Sequence, residues 1–228
     1  ITFFMLRSFI RQKKLRMREE HLETLIVYLV ICVVLGARSF EILFYNLSYY
    51  LQNPLQVFAV WKGGLSFHGG LVGGLLAVIV FCKRYKYSVL HLGDYIVIPA
   101  SLALALGRIG NFLNGELWGR ITSLPWSVQF PNVEGFRHPS QLYEALKNLV
   151  IFLILRWQAN LFFLVKWQAK KERKDGYLLG LFLILYGVLR FLVEFVREPE
   201  IYVGPLTMGQ LLTIPLMAIG IFLVKRSK

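Results

Sequence analysis

Charge is what this 228-residue chain has little of. Only 17% of its residues are Asp, Glu, Lys or Arg, while 56% are hydrophobic. A soluble domain carries nearer a quarter charged residues, so the deficit moves the chain out of the aqueous class and towards the bilayer. Acid is scarcer still. Asp94 and Asp175 are the only aspartates, and both fall beside basic clusters on one side of the proposed membrane topology, which leaves no pair of aspartates for an intramembrane protease on the other side. Cysteine is limited to Cys32 and Cys82, each inside an apolar run where it acts as a small packing residue. There is no HExxH, CxxC or GxSxG, which removes the usual support for zinc or serine-triad chemistry. The period-2 alternation of an outer-membrane barrel is missing as well.

What is present is a set of apolar runs close to the ~20 residues that cross a bilayer as helix. The fold expected is all-α, a polytopic membrane bundle of about seven helices. A stub occupies ITFFMLRSFI, too short to span, and reads as the end of a first helix whose beginning is missing. Spans are expected at about 22–36, 65–82, 93–112, 139–157, 177–196 and 207–224. An aromatic interfacial stretch, SFEILFYNLSYYL, follows the second helix, and a Gly-, Pro- and Trp-rich loop covers 114–137. No second domain, repeat or long linker interrupts 1–228.

The formal charge of +13 could suggest nucleic acid, but its distribution argues against that partner. Sixteen Lys and Arg residues sit in four clusters, at 11–18, 83–86, 166–174 and 225–228, and five occupy the loops between them. This alternation, read by the positive-inside rule, puts the clusters and the C-terminus in the cytoplasm.

Polar residues inside or at the ends of apolar helices need a reason, because a charge at a helix centre costs ~2.5–3.5 kcal/mol on insertion scales. GRIGNFLNGELWGR closes the fourth helix with Arg108, Asn111, Asn114 and Glu116 among Gly107, Gly110, Gly115 and Gly119. A snorkelling arginine with capping asparagines is one reading and a functional site is the other; the crowding of polar residues favours the site. Tyr186, Arg190, Glu194 and Arg197 form one stripe on the sixth helix, either a structural ladder or a site wall. His68 lies in SFHGG, next to Gly69 and Gly70, and is either an interfacial anchor or a proton acceptor. HPSQLYE, from His138 to Glu144, reads first as helix entry, with Pro139 at the start and Tyr143 at the interface, and second as a wall of the same cavity.

GGLSFHGG, GRIGNFLNGELWGR, RHPSQLYE and YGVLRFLVEFVREP followed by MGQ, in this order, resemble the phosphatidylglycerol–prolipoprotein diacylglyceryl transferases of bacterial inner membranes. The resemblance runs from about Leu35 to the C-terminus; Ser39, Phe40 and Glu41 stand where the family usually has an apolar residue, Gly and Tyr. It implies transfer of a diacylglyceryl group from phosphatidylglycerol to the lipobox cysteine of a prolipoprotein signal peptide, with release of glycerol phosphate. It implies further that Arg108 binds the lipid headgroup in a pocket shaped by Asn111, Asn114, Glu116 and Gly119. Arg190 would hold the leaving phosphate, oriented by Tyr186 and Glu194. His68, beside Gly69, is the candidate base, with a phosphate oxygen as the competing proton acceptor. Neither a metal nor an organic cofactor is implied. Two rival readings remain: a transporter or scramblase of anionic lipid, and a membrane glycerolipid acyltransferase.

Overall fold

The computed structural model describes residues 1–169, 174–199 and 202–227. The middle of the third basic cluster (170–173) and the loop position Glu200 lie outside the described residues. Helices α1 (Thr2–Arg11), α2 (Glu20–Phe40), α3 (Leu47–Gln52), α4 (Phe67–Tyr85), α5 (Val89–Leu113), α6 (Ser140–Ala169), α7 (Tyr177–Val193) and α8 (Met208–Arg226) account for most of the chain. Strands β1 (Tyr202–Val203) and β2 (Leu206–Thr207) form a short antiparallel ribbon ahead of α8. Each of the seven expected helical segments is a helix. Among the described residues, four stretches are long and apolar enough to cross a membrane: Glu20–Tyr45, Phe67–Tyr85, Val89–Leu113 and Met208–Arg226; α7 is apolar and shorter.

Five boundaries differ by three residues or more from the sequence reading: α4 runs to Tyr85 rather than 82, α5 begins at Val89 rather than 93, and three others follow. The second helix does not stop near Gly36 but continues, with a widened last turn at Glu41–Tyr45, because no proline or further glycine interrupts it. The helix expected over 139–157 is a single element of 30 residues reaching Ala169, again without a breaker. Helix α7 ends at Val193 rather than 196, where the chain is drawn into loop pairing: Arg120 donates its backbone N–H to the Val196 carbonyl at 2.9 Å.

The chain forms two compact units, Phe3–Leu92 and Gly93–Lys228 with Ile1 and Thr2. In the first, α2 packs along α4 at backbone contact. A Cβ at Gly73 would overlap the Cys32 carbonyl, and one at Gly69 the Gly36 carbonyl, so this Gly-xxx-Gly spacing sets the approach of the two helices. Leu22, Leu25, Ala77, Phe81 and Cys82 are buried in this unit, as are Leu6 and Phe9 of α1. Arg38, counted from sequence only as a loop charge, is buried. Its guanidinium donates to the carbonyls of Val57 (2.9 Å), Gly63 (2.8 Å), Gly64 (2.9 Å) and Gln56, and stacks over Tyr50. One planar donor fork thus gathers the irregular segment that leads into α4.

In the second unit, α7 packs on α6 and on α8, where Gly180 and Gly220 bring their helices into close contact. Asp94 of α5 caps α7 from another helix, accepting the backbone N–H groups of Gly176 and Leu179, both at 2.8 Å. That gives one of the two aspartates a structural duty at a helix N-terminus. The loop after α5 is tied down by bridges from Gly119 to Arg197 and from Arg137 to Ile121 and Val128. Thr207 and Gln210 form a reciprocal capping box that starts α8.

Candidate active site

The polar residues of the second unit assemble around one carboxylate. Glu144, in the first turn and a half of α6, has a side chain 1% exposed, and it belongs to the motif read from sequence first as helix entry and second as a cavity wall. Its Oε1 accepts from Arg190 Nη1 at 2.7 Å, and its Oε2 from Lys147 Nζ at 2.8 Å, one turn further along α6. Arg108 Nε, from the end of α5, stands 3.8 Å from the same Oε2. Arg190 also reaches Glu194 Oε2 at 2.8 Å, and Arg197 Nε lies 3.9 Å from that oxygen. Three helices therefore converge on a connected group of four cations and two carboxylates, a formal excess of two positive charges.

The cations are not equivalent. Arg190 is hydrogen-bonded to Glu144 and ion-paired with Glu194, and Lys147 is hydrogen-bonded to Glu144; Lys147 Nζ also sits 4.2 Å from the centre of the Tyr186 ring. Arg108, with its side chain 19% exposed, makes no hydrogen bond among the described residues, and Arg197 Nε is buried without one. Two guanidinium groups are thus held near carboxylates by charge but keep donors for another acceptor. His138 adds nothing to the charge excess: burial pushes its imidazole below the ordinary value, which keeps it neutral near pH 7.

The surrounding residues fix this arrangement. Glu194 accepts from Thr207 Oγ1 at 3.1 Å, and Gly209 packs so closely on the Glu194 carboxylate that a Cβ would collide with it. The MGQ motif, carried in sequence only by resemblance, therefore seats the second carboxylate. Gln141 donates to the Glu116 carbonyl at 2.6 Å and Ser140 to the Leu117 carbonyl at 2.9 Å, pinning the loop after α5 to the start of α6. Gly119 meets the Val196 and His138 carbonyls where a side chain would not fit. Asn111 donates to Glu116 Oε2 at 3.1 Å, and Asn114 is exposed beyond the helix end.

Of the residues singled out from sequence, Arg108, Tyr186, Arg190 and Glu194 lie in the charge group, with Asn111, Asn114, Glu116 and Gly119 on the segment leading from Arg108. His68 and Gly69 belong to the other unit, at the start of α4; His68 is exposed with Phe67 beside it, and Gly69 is buried. Sequence reasoning missed Lys147 and Thr207, carried Gln210 only within the MGQ motif, and ranked Glu144 below the other candidates. The i, i+3 spacing of Glu144 and Lys147 in an otherwise apolar helix was the available signal.

A polytopic helical membrane protein with a buried, net-positive cluster where three helices converge carries the charge to receive an anionic group. Residues 1–226 match the prolipoprotein diacylglyceryl transferase family. The chain belongs to that family. It is 45% identical over 213 residues to the phosphatidylglycerol–prolipoprotein diacylglyceryl transferase of Nitratidesulfovibrio vulgaris strain DP4, covering 90% of this chain and 77% of that protein. It is 44% identical over 236 aligned positions to the one of Geobacter sulfurreducens, covering 100% and 87%. The Bordetella parapertussis protein of the same name is 46% identical over 206 residues, covering 87% and 75%. The apolar helices and the family together make this a membrane protein.

Proposed function

We propose that this chain transfers the diacylglyceryl group of phosphatidylglycerol to the lipobox cysteine thiol of a prolipoprotein, as a single catalytic domain over 1–228. The observation that carries the reading is the charge excess. Phosphatidylglycerol enters as a phosphodiester with one negative charge. The cysteine sulfur attacks the glyceryl carbon, the carbon–oxygen bond breaks, and the bond's electrons leave on glycerol phosphate, which gains a second charge once the thiol proton has gone elsewhere. A site with two surplus positive charges suits the departing dianion better than the entering monoanion. It therefore favours the transition state over the bound lipid.

Arg108 grips the headgroup phosphate with the fork it leaves unbonded, and Asn111, Asn114, Glu116 and Gly119 shape that end of the pocket. Arg190, oriented by Glu144 and Glu194, faces the leaving phosphate, with Tyr186 on the same stripe. His68 is the proposed base on chemical grounds: a thiol with a pKa of ~8.5 needs a proton acceptor, and imidazole is suited to it near neutrality. Wild-type membranes supplied with phosphatidylglycerol and a lipobox peptide are expected to add a diacylglyceryl thioether to the peptide, read by mass spectrometry. His68→Gln is expected to lower kcat strongly with little change in KM for the lipid. Lipid movement without peptide mass gain would replace the transferase with a scramblase, and a single ester-linked acyl chain would point to an acyltransferase.

The proposed setting is the bacterial inner membrane, with the C-terminus cytoplasmic and the site towards the outer face, supported by the sixteen-to-five split of basic residues. With Cys32 and Cys82 replaced by alanine, a cysteine at Lys83 or Lys225 is expected to label only from the cytoplasm, and one at Glu134 only from outside. Labelling of Lys83→Cys and Glu134→Cys from the same side would end this topology.

A further inference from the structure

Among the four cations of the cluster, Lys147 is one to which the proposed mechanism gives no part beyond its charge. It is an ammonium 3% exposed, in an apolar helix, 2.8 Å from Glu144 Oε2 and held over the Tyr186 ring. A lysine in such a place loses its hydration and is retained only where a specific partner compensates. Its partner is the oxygen that also faces Arg108, and the two cations share that oxygen unequally. Lys147 is at hydrogen-bond distance. Arg108 at 3.8 Å is not. The other oxygen is already taken by Arg190 at 2.7 Å.

We infer that Lys147 is a positioning residue for the lipid headgroup: by occupying Glu144 Oε2 at hydrogen-bond distance and offsetting its charge, it keeps the Arg108 fork from closing on that carboxylate and leaves it free for a phosphate. The inference rests on the reading of Arg108 as headgroup ligand. A carboxylate and a phosphate compete for the same planar donor pair, so a Glu144 without Lys147 is an internal competitor of the lipid. Removing Lys147 gives Arg108 an intramolecular partner that is always present, and binding of phosphatidylglycerol then has to break that pair.

The test is a two-residue cycle with two readouts: phosphatidylglycerol retained by the purified full chain in native mass spectrometry, and KM and kcat for transfer in membranes. K147M is expected to lower phosphatidylglycerol retention and raise KM by about tenfold or more, with a smaller effect on kcat. E144Q alone also impairs the protein, because it leaves Lys147 buried without its counter-charge. The double variant K147M/E144Q is expected to recover much of the lost binding, since a neutral amide no longer competes for Arg108 and can still accept from Arg190. A role in packing alone predicts no such rescue.

Wild-type retention in K147M, or a double variant no better than K147M, overturns the inference. If K147M does not accumulate in the membrane, the double variant decides: recovery of accumulation together with binding supports the charge competition, and recovery of neither overturns it. A chain that retains phosphatidylglycerol with this pattern but transfers nothing upholds the role of Lys147 and removes the transferase reading. Normal transfer with K147M unaffected does the reverse.

Discussion

Arg108→Ala is expected to reduce diacylglyceryl transfer by at least about a hundredfold while the protein still inserts and accumulates, because the residue's donors are not spent on the fold. Arg108 contacts Glu144 only at ion-pair distance, and Glu144 keeps hydrogen bonds from Lys147 and Arg190 when Arg108 is removed. The carboxylate is thus not orphaned, and the buried network survives. Arg108→Lys retains the charge but replaces a planar two-point donor with a hydrated point charge, so it is expected to recover little of the activity. Transfer assays and quantitative immunoblots of the same membranes check this. Near-normal transfer by Arg108→Ala would make the residue an interfacial anchor and move the headgroup site elsewhere.

For Arg190 the expected outcome differs in kind. Arg190 is the link between the two carboxylates, at 2.7 Å from Glu144 and 2.8 Å from Glu194. Removing it leaves both buried acids short of a counter-ion, which for a buried pair costs on the order of 3 kcal/mol. Arg190→Ala should therefore lose transfer and also melt at a lower temperature in detergent, with reduced accumulation. Arg190→Lys can reach only one carboxylate at a time and should fall between wild type and alanine in stability while remaining nearly inactive. Thermal unfolding followed by tryptophan fluorescence separates the two arginines: Arg108→Ala near wild type, Arg190→Ala well below it. Equal melting of both variants would show that the ion-pair network does not hold this end of the bundle.

The two cases explain why resemblance in sequence is a partial guide to mechanism. Both arginines stand in conspicuous motifs, GRIGNFLNGELWGR and YGVLRFLVEFVREP, and composition treats them alike. Only their partners distinguish a guanidinium hydrogen-bonded to one acid and ion-paired with a second from one without a hydrogen bond. Glu194 is a similar case. Its position in the stripe with Arg190 and Arg197 was legible from the helical period, but its anchoring by Thr207 and Gly209 joins residues on different elements.

What the sequence determined by itself is what local chemistry controls. Long apolar runs without breakers make helices wherever they occur, so class and helical segments could be argued without coordinates, and the clustering of Lys and Arg supports the proposed orientation. The four motifs likewise sufficed to suggest the family. Tertiary structure decided the pairings between distant segments: Arg38 collecting the carbonyls before α4, Asp94 capping α7, and Glu144 with Lys147 at the centre of the charge group. Those outcomes depend on which side of each helix meets which neighbour. Burial strengthens a charge's need for a partner, but the identity of that partner is set by distances of a few ångströms that only the packed chain defines.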